Sequence, residues 1–432
     1  MAEAQSGRVL GFWACLALVM GNMIGSGVFL LPASLAPYGL NAVLGWIATI
    51  GGALCLAHVF ARLAQHLPAA GGPYAYARAA FGRAGGFASA WSYWVMLWAG
   101  NGAIAIAVVS GVSVFAPGLA TTPGLPAFLA VAVVWLLTGV NIWGVQAAAR
   151  VQLVTTILKL LPLFGVIVLA AMLLGAQGIA AIPPGPGTPV TGGAIAATAA
   201  LAFWGFLGLE SATVPAGNVK DPRRIIPLAT LVGTAATGLL YLLVTTAVST
   251  LMPYALAAKS PAPIAAFIGL HWGAGAAQTI GIFAAISAFG ALNGFILLQG
   301  EMPWAMARGG VFPAWFGKTS RRGTPARSHL VSSALLTAIT LMNYTRSFTD
   351  LFQTIATVSI ATGLVAYLMT ALAALKLLHR EPLVRVTGLL AAAFTVWALY
   401  GLGRNAVLCG LGLMTAGLPI YWWVRRSEGE AA

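Results

Sequence analysis

Charge is what this sequence has least of. Asp, Glu, Lys and Arg make up 7% of its 432 residues, and eight of these are acidic. A soluble domain carries about 25% charged residues, so this chain cannot present an ordinary water-facing surface. Cysteine is nearly absent as well. Cys15, Cys55 and Cys409 all lie in apolar runs, and no CxxC or HExxH spacing occurs. The three read as small packing residues rather than a disulfide or metal set, and no cofactor is called for. The alternating pattern of a membrane β-barrel is missing. So is any polar stretch long enough for a soluble signalling domain, which argues against a sensor. No charged ring or filter motif suggests a channel, and no Ser/His/Asp set suggests an intramembrane enzyme. Met1–Arg8 is short and polar, and the apolar stretch after it is too long for an h-region, so no secretory signal peptide is expected.

What the chain has instead is apolar length. Hydrophobic residues make up 60% of it. Runs long enough to cross a bilayer fall at about 10–34, 40–66, 84–112, 125–145, 150–175, 193–217, 225–252, 275–301, 328–346, 350–378, 383–403 and 405–424, each near or above the ~20 residues required. The reading is an all-α membrane protein with twelve transmembrane helices in a single domain, embedded in the lipid bilayer of the cytoplasmic (inner) membrane. The net charge of +14 raises nucleic acid as a partner, but the basic residues sit between the apolar runs, which is a topology signal. With the N-terminus inside, the cytoplasmic loops hold the basic residues from Arg8, Arg62, Arg78 and Arg83 through to Arg425 and Arg426. Only Lys259, Arg346 and Arg404 fall outside. Both termini are therefore expected in the cytoplasm, and no nucleic-acid partner is expected.

Two spans are interrupted. The first holds GNMIGSG, with Gly21, Gly25 and Gly27 beside Asn22 and Ser26; the sixth holds FWGFLGLES, with Gly205, Gly208 and Glu210. Glycine also serves close helix packing. Two clusters five spans apart, one followed by a buried acid, point further, because such a pair in matching halves marks the binding site of a transporter built from inverted repeats. The repeats would cover about 10–175 and 193–378, followed by two extra helices at about 383–424. An unwound segment frees backbone groups that hydrocarbon cannot satisfy and a ligand can. The helix N-terminus after the break suits a carboxylate, and the freed carbonyls suit an ammonium.

Glu210 and Lys159 are the ionisable residues well inside spans. A buried charge is costly unless paired or hydrated, so each is a functional candidate and a candidate proton-linked group. Glu301 ends the eighth span and is expected at the internal surface. Trp204 adjoins the sixth-span break, Phe295 lies in the eighth span, and Tyr93, Met96, Leu97 and Asn101 lie in the third. Aromatic faces hold cations by cation–π contact.

The stretches GNMIGSGVFLLPASLA, PAAGGPYAYARAAFG, FWGFLGLESA and GVFPAWFGK with GTPARS resemble the amino acid–polyamine–organocation superfamily. Within it the chain is most similar to the bacterial basic amino acid and polyamine antiporters, the arginine/agmatine exchangers among them. The likeness runs from residue 10 to about 375. It implies two inverted five-helix repeats plus two helices, with spans 1 and 6 unwound at mid-membrane. It implies that Ile24, Ser26 and Gly27 take a substrate carboxylate, and that carbonyls around Phe203, Trp204 and Leu207 take the amino group. Trp204 would stack on a guanidinium, with Asn101 and Ser359 as polar pocket residues. Tyr93 and Tyr367 would be gate aromatics, with Glu210 linked to pH response. Lys159 corresponds to a lysine whose ammonium replaces a sodium ion. Phe295 stands where the exchangers have a tryptophan and Ala291 where they have a serine, while Met96 and Leu97 are bulkier than the usual pair. The expectation is sodium-independent exchange of an arginine-type cationic amino acid for its decarboxylated, agmatine-type amine, by alternating access. The alternative is a proton-coupled permease for neutral or varied amino acids. Dimers occur in the closest group, which leaves a homodimer open.

Overall fold

A computed structural model describes residues 9–113, 115, 122, 124–260, 262–342 and 348–429. Arg8 and Arg346, used above for topology, lie outside the described residues. Secondary structure among the described residues is helical throughout, apart from one isolated bridge between Leu10 and Val219.

The helices follow the apolar runs. They are α1 (Phe12–Met23), α2 (Ser26–Leu35), α3 (Leu40–His66), α4 (Pro73–Ser113), α5 (Leu125–Trp143), α6 (Val145–Gln177), α7 (Gly192–Phe203), α8 (Pro222–Leu251), α9 (Tyr254–Lys259), α10 (Pro263–Trp272), α11 (Ala274–Arg308), α12 (Ala326–Met342), α13 (Phe348–Leu377), α14 (Pro382–Gly401), α15 (Arg404–Thr415) and α16 (Leu418–Gly429). Proline opens α5, α8, α10 and α14 within their first two positions. There its missing N–H costs nothing, because the first turn has no partner for it.

Among the described residues, ten helical stretches are long and apolar enough to cross a membrane. This is a multi-pass membrane protein. Two expected spans are missing from the ten. The sixth run is α7, only 12 residues long, which gives way to 3₁₀ turns from Trp204 to Asn218. The ninth is α12, 17 residues long, ending beside residues outside the description. Two boundaries also differ from expectation. α11 continues past Glu301 to Arg308, and Glu301 is buried at 5% exposure instead of marking a surface. The last run bends at Ala416–Gly417 into α15 and α16.

The core is central to α4. Its apolar window is 94% buried, against 33% for α6 and 17% for the final stretch, which turn large side chains such as Leu161, Phe164, Trp422 and Trp423 outward. Lipid tails are as apolar as leucine, so association relies on close packing and small residues. Gly45 faces Thr198, Gly233 faces Val19, and a Cβ added at Gly52 would come within 2.2 Å of the Phe394 ring. Gly51, one residue away, has nothing within 4 Å. Gly52→Ala is therefore expected to lower stability by about 1–3 kcal/mol through overpacking, and Gly51→Ala to leave it unchanged. Thermal unfolding of the purified protein distinguishes them, and equal melting points would contradict this packing.

Candidate functional site

The first-span break lies at Ile24 (φ −78°, ψ 79°) and Gly25 (φ −119°, ψ −136°), between α1 and α2. Neither torsion demands glycine. Close approach does: a Cβ at Gly25 would sit 2.8 Å from the Ala291 Cβ, and one at Gly27 would sit 2.7 Å from Trp204 Cδ1. At the second break glycine is needed for its backbone, because Gly208 has φ 104°, a region that side chains with a Cβ avoid.

Breaking α1 exposes its last carbonyls, and side chains from three helices collect them. Lys159 Nζ, from α6, donates to Gly21 O at 2.7 Å and to Ile24 O at 2.6 Å. Ser287 Oγ, from α11, donates to Ile24 O at 3.1 Å. The Tyr241 hydroxyl, from α8, donates to Met23 O. Lys159 is fully buried, and among the described residues no acidic side chain lies within ion-pair distance of it. Its charge faces the negative end of the α1 dipole instead. The carbonyls expected to suit a substrate ammonium at this end are occupied by the protein's own.

Beside the break lies a narrow cavity, with about 360 Å³ of non-atom space between its walls and the opening. Asn22, Ser26 and Gly27 line it from the broken span, Met96, Leu97 and Asn101 from α4, and Trp204, Leu207, Phe295 and Ser359 from the rest of the bundle. The Trp204 indole reaches from Gly27 on α2 to Gly100 on α4, where an added Cβ would lie 3.7 Å from its Cη2. Two buried polar atoms in the lining, Ser26 Oγ and Asn101 Oδ1, have no hydrogen-bond partner among the described residues. The Asn101 amide nitrogen is spent on Gln299 Oε1 at 2.7 Å, and Ser359 Oγ donates to Met96 O at 2.8 Å. Such orphaned groups in a lined cavity call for a ligand or water to complete them.

Two expected residues stand apart. Ile24 contributes a carbonyl to Lys159 and Ser287 and lies outside the cavity lining. Phe203 is fully buried and sets its ring edge against Tyr367 and Phe394. The Trp204 carbonyl already accepts the Leu207 N–H at 3.3 Å. Gly100 and Ile104 line the cavity without having been singled out. Helical spacing from Met96 and Leu97 would have found both, since positions three and four apart share a face.

Glu210, fully buried, forms a separate cluster. The Tyr93 hydroxyl donates to Oε1 at 2.5 Å and the Tyr367 hydroxyl to Oε2. The Gly208 N–H donates to the Tyr367 hydroxyl at 3.3 Å. One carboxylate thus ties α4, α13 and the second break together.

Lys159→Met would strip Gly21 O of its ammonium donor and leave it unpaired in a buried site. The variant is expected to lose about 1–3 kcal/mol of stability. A thermal melt in detergent checks this, and an unchanged midpoint would contradict the role assigned to the ammonium.

Residues 10–424 match the amino acid permease family. The chain is 37% identical over 344 residues to the cadaverine/lysine antiporter of Escherichia coli strain K12, covering 78% of this chain and 77% of the other. It is 28% identical over 436 residues to the putrescine transporter PotE of Haemophilus influenzae, covering 98% of each. The chain belongs to the amino acid permease family, within the amino acid–polyamine–organocation superfamily.

Proposed function

We propose that this chain exchanges a cationic amino acid for the amine left by its decarboxylation, across the cytoplasmic membrane and without sodium. The observation that carries this reading is a pair of buried atoms in the cavity without a hydrogen-bond partner among the described residues, Ser26 Oγ and Asn101 Oδ1. Ser26 opens α2, whose first N–H groups and dipole favour an anion. Its hydroxyl and those N–H groups take the carboxylate. Asn101 offers an acceptor, which suits a distal ammonium or guanidinium, and Trp204 supplies an aromatic face for the same cation. An amine lacking the carboxylate keeps the second set of contacts and loses the first, so both halves of the exchange fit one cavity.

The architecture proposed is twelve crossings in two inverted five-helix repeats, about 10–175 and 193–378, with two further helices. In this arrangement α7 and its 3₁₀ turns make the sixth crossing and α12 the ninth. Both termini lie in the cytoplasm. Lys159 holds the α1 carbonyls where a sodium ion would otherwise be needed, while Glu210, Tyr93 and Tyr367 close one side of the cavity. Protons couple through Glu210 or Lys159. Arginine and agmatine are the pair that the sequence resemblance favours. Lysine and cadaverine are a second pair, favoured by the relative named a cadaverine/lysine antiporter.

In proteoliposomes, labelled arginine or lysine should enter only when agmatine or cadaverine is loaded inside. Uptake into empty vesicles driven by a pH gradient alone would contradict exchange and favour a proton-coupled permease. Trp204→Leu should weaken arginine binding about tenfold, the size of a desolvated cation–π contact, and barely alter binding of alanine. An equal loss for both ligands would remove the stacking role.

A further inference from the structure

A second cavity of about 240 Å³ lies near the start of α1. Its walls include Leu10 ahead of α1, Ala14 and Leu18 of α1, Ala148 and Gln152 of α6, and Asn293 of α11. Between it and the first cavity runs a row of amide side chains, all buried. Asn141 Nδ2 donates to Asn293 Oδ1 at 3.2 Å, and Asn293 Nδ2 to Ala148 O at 2.9 Å and, more weakly, to Gln152 Oε1 at 3.5 Å. Gln152 Nε2 donates to Asn22 Oδ1 at 3.1 Å, and Asn22 Nδ2 to Ser211 Oγ at 2.8 Å. Every link runs nitrogen to oxygen in the same direction, so the dipoles of successive bonds reinforce one another.

The row joins five elements, and its position is its most informative property. Asn22 lines the first cavity, whereas Gln152 and Asn293 line the second. Asn22 also lies flat against Gly294, where an added Cβ would come within 1.8 Å of its Oδ1, so no open passage skirts the row there. At its far end Ser211 follows Glu210, the carboxylate held by Tyr93 and Tyr367. Two arms therefore meet at Glu210–Ser211: a phenol–carboxylate arm toward α4 and α13, and an amide arm toward α5, α6 and α11.

We propose that Asn22, Gln152 and Asn293 form a second gate between the substrate cavity and an exit chamber, and that these amides part as substrate passes. The chemistry suits this role. The second cavity is walled mainly by Leu, Ala and Gly, so once the row parts, the oxygens of Asn22 and Gln152 are the acceptors left for the departing amine. Asn22, in the first break where the sequence places the binding site, has both ends of its amide committed to the row; in this structure it acts as a positioning residue. The proposal rests on the exchange reading for the identity of the traveller, but its test reads access and not transport, so either can fail alone.

The probe is a cysteine at Ala14, on the wall of the second cavity, in a chain whose Cys15, Cys55 and Cys409 are replaced by alanine. Inside-out membrane vesicles expose the cytoplasmic face to a membrane-impermeant maleimide. Gln152→Leu and Asn293→Ala should each raise the probe's labelling rate about fivefold, the effect of losing one buried hydrogen bond on a two-state equilibrium; a fall or no change in both would contradict the gate. Q152E supplies the control for a merely structural effect. Its carboxyl can donate to Asn22 Oδ1 only when protonated, so labelling should approach the parent rate near about pH 5 and depart from it near about pH 8. This comparison uses one folded sample, whatever the fate of the other variants. Labelling of Q152E that differs from the parent equally at both pH values, or not at all at either, would overturn the gate.

Discussion

The contact on which the rest of the site depends is the Lys159 ammonium against the carbonyls of Gly21 and Ile24. A helix that breaks inside a membrane leaves polar backbone in a place without water, at a cost of several kcal/mol per unsatisfied group. Here the cost is met from inside the chain. Lysine brings a compact charge with several donors on a long stem, and it reaches the break from a neighbouring helix. Ser287 and Tyr241 complete the set. With α1 terminated in this way, α2 can restart at Ser26 and aim its N-terminus at the cavity. The break is thus held by the chain's own side chains.

Close approach requires glycine at both breaks: Ala291 and Trp204 crowd Gly25 and Gly27, while Tyr241 and Asn22 crowd Gly205 and Gly208. The second adds a backbone demand, because Gly208 has φ 104°. The crowding has a consequence for the cavity. Trp204 can lie against α2 only because Gly27 has no side chain, so a glycine just past the first break seats the aromatic residue of the second. The polar residues around the cavity are then sorted by what remains unpaired. Ser359 is bonded to Met96 O, whereas Ser26 and Asn101 each retain a free oxygen.

Much of this was legible in the sequence, for identifiable reasons. Apolar length alone locates the helices, because a bilayer admits few alternatives. It misjudged Glu301, since a charge at the end of an apolar run looks like a terminus until other helices are seen to cover it. It does not show where helix gives way within the sixth run, because 3₁₀ turns and α-helix share the same apolar composition. Residues of both glycine clusters border the cavity. The clusters did not separate backbone from side chain: Ile24 offers its carbonyl to Lys159 and Ser287, and Phe203 packs against Tyr367. The amide row from Asn141 to Ser211 was invisible, because its members lie far apart in the chain and each alone is an ordinary buried amide.

The most direct measurement is equilibrium binding of labelled lysine and arginine to the purified protein in sodium-free buffer, with agmatine, cadaverine, putrescine and leucine as competitors. The cationic amino acids should bind, the amines should compete, leucine should not, and adding sodium should change nothing. Binding that requires sodium, or that leucine displaces while the amines do not, would contradict a cavity organised by Lys159 around a cationic substrate.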